Sequence, residues 1–486
     1  MPLYEKVIDL AVRRGFFFPS AEIYRGNAGL YDYGPLGASL KRNFTDLWRA
    51  CLVKRDEMIE IDGSVILPES VYRASGHLDN FVDPIVECNK CKTIFRADKL
   101  IETVTKKTIP ENLSEKDFDN LIAKNKIFCS NCRGQLGKTR KFNMMFTFTA
   151  GPRKEEVVGL RPETCQNIFI DFPRLYKTLR LKLPVGIAQT GKAFRNEISP
   201  RQTLIRQREF NQAEIEIFFH PARDFKKFDK IKKTKLKLQL LGTNKITEMT
   251  AEDAVRKKII SHKLIAYYLA LLQQFYDAID VKNYRFRQLS SEEKAFYAKE
   301  GWDFEVHSPE LGWIELVACN YRGEHDLGSH AKGSKQDLAV LDENEKVLPH
   351  VFELSMGVDR SLYVILEQSY FEEKVKDEVR AVLKLNKKIA PILAAVFPLI
   401  NKEKLPKIAE DIYAELNCCF SAFYDDSGSI GKRYRRADEA GIPFCITVDF
   451  DSLKKKDVTV RNRDSMKQER VKIKNLHDFL YKQYLK

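Results

Sequence analysis

Residues 191–219, GKAFRNEISPRQTLIRQREFNQAEIEIFF, carry the pattern that constrains this chain most. The run reads as two antiparallel strands joined by a long loop. Successive side chains of a strand point to opposite faces. On the first strand Arg195 and Glu197 share a face. On the second, Arg206, Arg208, Phe210, Gln212, Glu214 and Glu216 share one. Folded together, these faces put arginines, an aromatic ring and carboxylates on one platform. An amphipathic hairpin laced with salt bridges shows the same alternation. Alternation alone therefore does not decide between support and chemistry; the order FRNE, SPR, REF within the run is more specific.

The remaining bounds are broad. A chain of 486 residues predicts two to four domains, each able to bury a core. Its formal net charge of +14 favours a polyanionic partner. No apolar run reaches the length of a membrane span, and MPLYEKVIDLAVRRG has neither a secretory apolar core nor the look of a transit peptide. Ten cysteines in a chain of this length are no disulfide scaffold, which predicts a reducing, cytoplasmic setting. Four of them form two CxxC pairs, Cys88 with Cys91 and Cys129 with Cys132. Thiolates so spaced on a tight knuckle face one ion, and two knuckles complete a tetrahedral zinc site. Free thiols, or a site that has lost its metal, are the alternatives. The linker 92–128 predicts a small excursion inside such a ribbon.

Along the chain, residues 4–18 predict a helix ending at Gly15, 29–37 a structured turn, 36–58 a helix and 59–67 a strand. Residues 141–152 alternate as a strand, and a helix is expected to begin after Pro162. Lysines alternate with apolar residues over 226–250, which predicts a strand pair, either along a nucleic acid or as a solvated basic face. Residues 251–279 read as helix. In HVFELSMGVDRSLYVIL, 350–366, a strand carries Glu353 and Ser355 on one face and turns at Gly357 into a helix whose first turn holds Arg360. From 390 onward strand and helix alternate as in a small α/β domain. The run Lys432, Arg433, Arg435, Arg436 sits there at a helix start, either for nucleic acid or as a solvated face.

In their order these pieces resemble class II aminoacyl-tRNA synthetases, and within them the glycine-specific homodimeric family. FRNE, SPR and REF stand as motif 2. The helix and strand over 36–67 stand as motif 1, and 350–366 as motif 3, with Leu354 where proline is usual. RPET-x-Q at 161–166, GWIEL at 312–316, NYRGEHDLGSH at 320–330 and SGSIGKRYRRADEAG at 427–441 extend the match over nearly the whole chain. The resemblance implies an α+β fold: an antiparallel sheet flanked by helices, a zinc-ribbon insertion and a C-terminal α/β anticodon-binding domain. The expected division is 1–85 (motif 1), 86–134 (ribbon), 135–221 (motif 2), 222–285 (an insertion), 286–385 (motif 3) and 386–486 (anticodon binding).

It also implies the chemistry: activation of glycine by ATP with Mg²⁺, then transfer to tRNA. Arg195, Arg360 and Glu315 take the catalytic positions, with Glu315 toward Mg²⁺. Arg96, Glu163, Phe210, Gln212, Glu214, Arg322, Glu353, Ser355 and Gly357 fall on the glycine side. Asn196, Glu197, Ile205, Arg206, Arg208, Leu316 and Asp359 join Arg195, Phe210, Glu315, Gly357 and Arg360 around ATP. Cys165 and Asn167 stand where that family more often has alanine and glycine, a departure expected to leave Glu163 in place. The competing reading is a non-enzymatic relative that keeps the scaffold and binds nucleic acid. Retention of both Arg195 and Arg360 speaks against it.

Overall fold

A nine-stranded sheet organises the computed structural model. From edge to edge its strands are 246–250, 235–239, 284–288, 300–308, 312–323, 350–357, 209–219, 185–194 and 59–61. Neighbours are antiparallel except where 235–239 meets 284–288 and 59–61 meets 185–194. The structure describes residues 1–107, 109–110, 113–152, 156–198, 200, 202–295, 297–375 and 378–485. Parts of the linker between the CxxC pairs, and Ser199 and Arg201 of the SPR run, lie outside the described residues.

The strand period explains how one sheet serves both core and site. On Glu209–Phe219, Ala213, Ile215, Ile217 and Phe219 point into the main hydrophobic core. On His350–Gly357, Phe352, Leu354 and Met356 do the same. The helix Lys263–Asp277, apolar almost all round, packs into that core. The alternate residues face the other way. At one end of that second face Phe218 and Val351 are covered by the helix Cys165–Thr178, whose Phe172 ring stacks on Phe218 at 3.9 Å between centroids. At the other end Gln212, Glu353 and Ser355 line the floor of a cleft, with Glu214 and Glu216 buried beneath it.

Several boundaries differ from the sequence reading. The first hairpin strand is Val185–Phe194, so Arg195 and Glu197 lie beyond its end and do not share a strand face. Arg206 and Arg208 likewise precede Glu209–Phe219, after a short 3-10 turn. The expected strand over 59–67 is two strands in different sheets, Ile59–Ile61 and Ile66–Pro68. The break holds Gly63 against Asn167, where a Cβ would meet the asparagine at 2.4 Å. Residues 141–152 also split, into Arg140–Asn143 in the ribbon sheet and Phe146–Ala150 elsewhere. Residues 251–279 form two helices, Ala251–Arg256 and Lys263–Asp277. The stretch 222–285 does not stand apart: its strands extend the main sheet and its apolar residues enter the main core.

The ribbon carries its excursion as two helices, Ala97–Thr105 and Glu115–Lys124, around a core of their own. Ser114 and Asp117 close the second helix with a capping box. The C-terminal unit is a five-stranded sheet in the order 422–424, 394–398, 444–448, 457–462, 468–472. Within its cationic run Arg433 is buried and donates to the carbonyls of Pro398 and Gly428. Arg433 is therefore a structural residue, since its donors are spent on backbone. Arg436 pairs with Asp425 at 2.7 Å.

Candidate active site

The cleft above the polar face has an empty volume of about 820 Å³. Strand register decides what stands on its floor. Gln212 lies opposite Gly357, Glu214 opposite Ser355 and Glu216 opposite Glu353. Ala318 and Asn320 lie opposite Ser355 and Glu353 on the other side. One carboxylate from each of two strands is thereby brought beside Glu163, which precedes the helix Cys165–Thr178.

Each of the three carboxylates has its own partners. Glu163 sits 3.2 Å from His77 Nε2 and accepts from Gln166 and from the Cys165 thiol, both at 2.9 Å. Burial works to raise its pKa, but His77 and then Arg322 hold it well below the usual carboxylate range. Glu214 accepts from Ser355 and Thr164, both at 2.5 Å, and burial with the nearby Glu163 raises it. Glu353 accepts from Arg322 and Asn320, each at 2.7 Å. Burial pushes Glu353 up to about 8; Arg322 opposes this, and Glu214 and Glu163 add to it. Behind them Glu216 is buried, with neither oxygen hydrogen-bonded, and burial beside Glu353 raises it well above the usual range. Arg322 is itself sandwiched: it grips Asp326 with two bonds of 2.6 and 2.7 Å and faces the Tyr297 ring at 3.7 Å.

The other end of the cleft is cationic. Arg195 donates to the Pro162 carbonyl at 3.1 Å and its guanidinium lies 5.2 Å from the Phe210 ring centre and 5.4 Å from that of Phe81. Arg360, on the first turn of Val358–Ser369, donates to the carbonyls of Ile205 and Glu315, both at 3.1 Å, and pairs with the Glu315 carboxylate at 3.3 Å. Glu197, Arg206, Leu316 and Gly357 complete this rim. Asp359 also reaches the cleft, but Tyr33 and the backbone and side chain of Asn211 saturate it. It fixes the strand end there.

Five predicted residues stand outside the lining: Glu214, fully buried beneath it, and four others. Asn196 ties the loop to Met144 through its backbone, at 2.8 Å. Arg208 is turned onto the Glu197 carbonyl at 3.1 Å. Arg96 lies in the ribbon, 3.1 Å from Asp83 and 2.7 Å from Asp98. Arg322 acts on the cleft through Glu353. Among residues not singled out in the sequence, His77, Thr164, Gln166, Tyr297 and Asn320 belong to the site. His330 donates to or accepts from Gln166 at 2.8 Å, and burial lowers it to about 4, so it is the neutral imidazole. Thr164, Gln166, Asn320 and His330 lie within motif runs quoted above without a role assigned to them, whereas His77 and Tyr297 carried no spacing signal.

The four ribbon thiols converge, with all four sulfurs within 4.8 Å of one another. Cys88 and Cys132 are 3.6 Å apart, and Cys91 and Cys129 3.5 Å. A tetrahedron of thiolates around zinc has edges of about 3.8 Å, so the set fits such an ion. Gly134 leaves it room: a Cβ there would approach the sulfurs of Cys88 and Cys132 at 3.1 and 3.3 Å. The Thr93 hydroxyl and amide draw Cys91 down to about 6. At Cys132 the Gly134 amide pulls down, but burial and the other thiols push it up to about 11.

Comparison with known proteins agrees with this geometry. Residues 146–369 match the tRNA synthetase class II core domain (G, H, P, S and T), and residues 393–483 the anticodon binding domain. A crystal structure of prolyl-tRNA synthetase from Cryptosporidium parvum has the same fold, with a TM-score of 0.59 at 14% identity over 98% of this chain and 76% of that one. The glycine–tRNA ligase of Methanothrix thermoacetophila is 39% identical over 99% of this chain and 97% of its own length. That of Methanocaldococcus jannaschii is 41% identical over 98% of each chain, in 572 aligned positions, so it carries internal segments that these 486 residues lack. The chain belongs to the glycine–tRNA ligase family of class II aminoacyl-tRNA synthetases.

Proposed function

We propose that the cleft binds glycine by its ammonium between Glu163, Glu214 and Glu353, with the Ser355 hydroxyl beside it, and ATP along the Arg195–Arg360 end. The observation that carries this reading is the gathering of three buried carboxylates, Glu163, Glu214 and Glu353, at one end of the cleft. Glycine offers nothing to recognise beyond its ammonium and carboxylate. A pocket that merely tolerated a methyl would favour alanine by about 1–3 kcal/mol, so discrimination must be steric. The glycine carboxylate then attacks the α-phosphate of ATP, diphosphate leaves, and the tRNA terminal hydroxyl attacks the resulting acyl-adenylate. Arg195 holds the attacking carboxylate and the α-phosphate, and Arg360 the far phosphates, as planar guanidinium groups do. Phe210 supplies a face for adenine, and Glu197 an acceptor for its amino group.

Glu315 would hold Mg²⁺, with Asp303 close by. Burial and then the charge of Glu315 push Asp303 up to about 8, although Arg287 pairs with it at 2.9 Å. The ion supplies neutralisation of the triphosphate. The test of the whole reading is ATP–diphosphate exchange: it is expected with glycine and silent with alanine and serine. Exchange with serine or proline but not glycine would overturn the assignment.

The C-terminal unit is read as the tRNA anticodon site, with Lys432, Arg435 and Arg436 on its basic face. The protein is read as a cytoplasmic homodimer; among the described residues no helix is long and apolar enough to cross a membrane. The exposed Ile66 and Phe148, which share one face of a three-stranded sheet, are apolar surface for a second copy to cover. The ribbon is read as a zinc site. Removing its metal with a chelator is expected to lower the melting temperature by several degrees and to release one zinc per chain. Both are read by calorimetry and native mass spectrometry, the latter also giving the dimer mass.

A further inference from the structure

Glu163 and Glu353 line the proposed ammonium end of the cleft, Glu214 is buried beside them, and each is oriented by a different device. Ser355 and Thr164 hold Glu214; Arg322 and Asn320 hold Glu353. Glu163 is held by Cys165, Gln166 and His77. Of these partners His77 alone comes from the segment that leads into the ribbon. It sits on the short helix His77–Asn80, and its ring is nearly buried. Its Nε2 lies 3.2 Å from Glu163, and its Nδ1 lies 2.7 Å from the Ser75 hydroxyl.

We propose that His77 is a positioning residue for glycine: oriented by Ser75 and clamped between aromatic rings, it fixes the Glu163 carboxylate toward the ammonium. This rests on the assignment of Glu163 to the glycine site.

The surroundings leave His77 one orientation. Tyr72 and Phe81 meet the ring edge-on, with centroids at 6.4 and 5.8 Å. Asn143 Nδ2 donates to the carbonyls of His77 and Leu78, at 3.4 and 2.7 Å, and locks the helix backbone. The Ser75 hydroxyl has one proton and two neighbours, His77 Nδ1 and the Tyr72 carbonyl at 3.3 Å. If it donates to Nδ1, the imidazole is neutral and Nε2–H points at Glu163. If it donates to Tyr72, it accepts from Nδ1–H, and the Glu163 carboxylate, which would repel a bare Nε2, selects the imidazolium, whose Nε2–H faces it. In both states Glu163 receives a hydrogen bond. Phe81, which packs on one side against His77, faces the Arg195 guanidinium on the other. The same segment thus touches both ends of the cleft, yet its polar contact is with the glycine end alone.

The experiment compares His77→Phe, His77→Gln and Glu163→Gln in full-length protein by ATP–diphosphate exchange. His77→Phe keeps a ring between Tyr72 and Phe81 but removes the donor. It is expected to raise the glycine KM about tenfold or more, as loss of a hydrogen bond to a charged group does. The ATP KM should stay within about twofold. His77→Gln offers an amide N–H at a similar reach and is expected to recover most of the loss. Should His77→Phe fail to fold, Ser75→Ala frees the ring and is expected to raise the glycine KM in the same selective way. An unchanged glycine KM in these variants, an equal rise for ATP, or an equal loss in His77→Gln and His77→Phe would overturn the proposal. If Glu163→Gln also leaves the glycine KM unchanged, the placement of glycine at Glu163 fails. If Glu163→Gln raises it and His77→Phe does not, only the role of His77 falls.

Discussion

Arg195→Gln is expected to lower kcat/KM for glycine-dependent exchange by about a thousandfold while leaving the melting temperature within a few degrees. The reason is where its charge is directed. Arg195 spends one donor on the Pro162 carbonyl and lies between two aromatic faces, which leaves the rest of its guanidinium toward the cleft. Charge builds on the α-phosphate as the glycine carboxylate attacks. Preorganised donors at such a point are each worth about 2.7–4 kcal/mol, and arginines on transferring phosphoryl groups more. At about 1.36 kcal/mol per decade this gives the thousandfold figure. The side chain is half-buried and is held by a carbonyl and two rings, so stability should change little. Arg195→Lys keeps the charge without the planar fork and should recover only part of the rate. A fall of less than tenfold for Arg195→Gln would place the α-phosphate elsewhere.

That arginine was legible from the order of the FRNE run, not from strand geometry. Period-two alternation reads faces correctly inside a strand, and Gln212, Glu214, Glu353 and Ser355 all stand where alternation puts them. It fails past a strand end. Arg195 follows the last residue of Val185–Phe194, and its position is set by the loop, through its amide on Arg208 and the neighbouring Asn196 amide on Met144. Arg208 has the right parity and yet turns back to the Glu197 carbonyl. Charge runs misled for a related reason: nothing local says that Arg433 is buried against Pro398. The thiol pairs were legible because tetrahedral coordination ties spacing to geometry. His77 and Tyr297 were not, because a lone polar residue acquires its role only from chain ends brought together by the fold. Cys165 is instructive among the departures from the family pattern. Its thiol supports Glu163 as a donor, so the substitution leaves that carboxylate in place.

The second large effect is expected at Glu353, and it carries a pH dependence. Glu214, Glu216 and Glu353 crowd one buried space. Burial raises all three, and Glu353 reaches about 8 although Arg322 opposes the shift. Groups this close titrate as a set, so the set as a whole holds protons at neutral pH. An ammonium prefers carboxylates, so glycine binding must expel a proton from the set. Below about 8, then, raising the pH removes a proton that glycine would otherwise have to displace. The glycine KM should fall as pH rises, by up to tenfold per unit for one proton, and level off above about 8. A titration of glycine in buffers of differing ionisation enthalpy should show that proton leaving. Glu353→Gln removes the charge that faces both Arg322 and the ammonium. Opening a buried pair costs about 3–5 kcal/mol, which divides between stability and binding. The glycine KM of this variant is expected to rise a hundredfold or more. Its pH dependence should flatten, since the group that titrates near 8 is gone. A variant that binds glycine as tightly as the parent, or a parent whose KM rises with pH between 6.5 and 8, would show that the ammonium does not sit among these carboxylates.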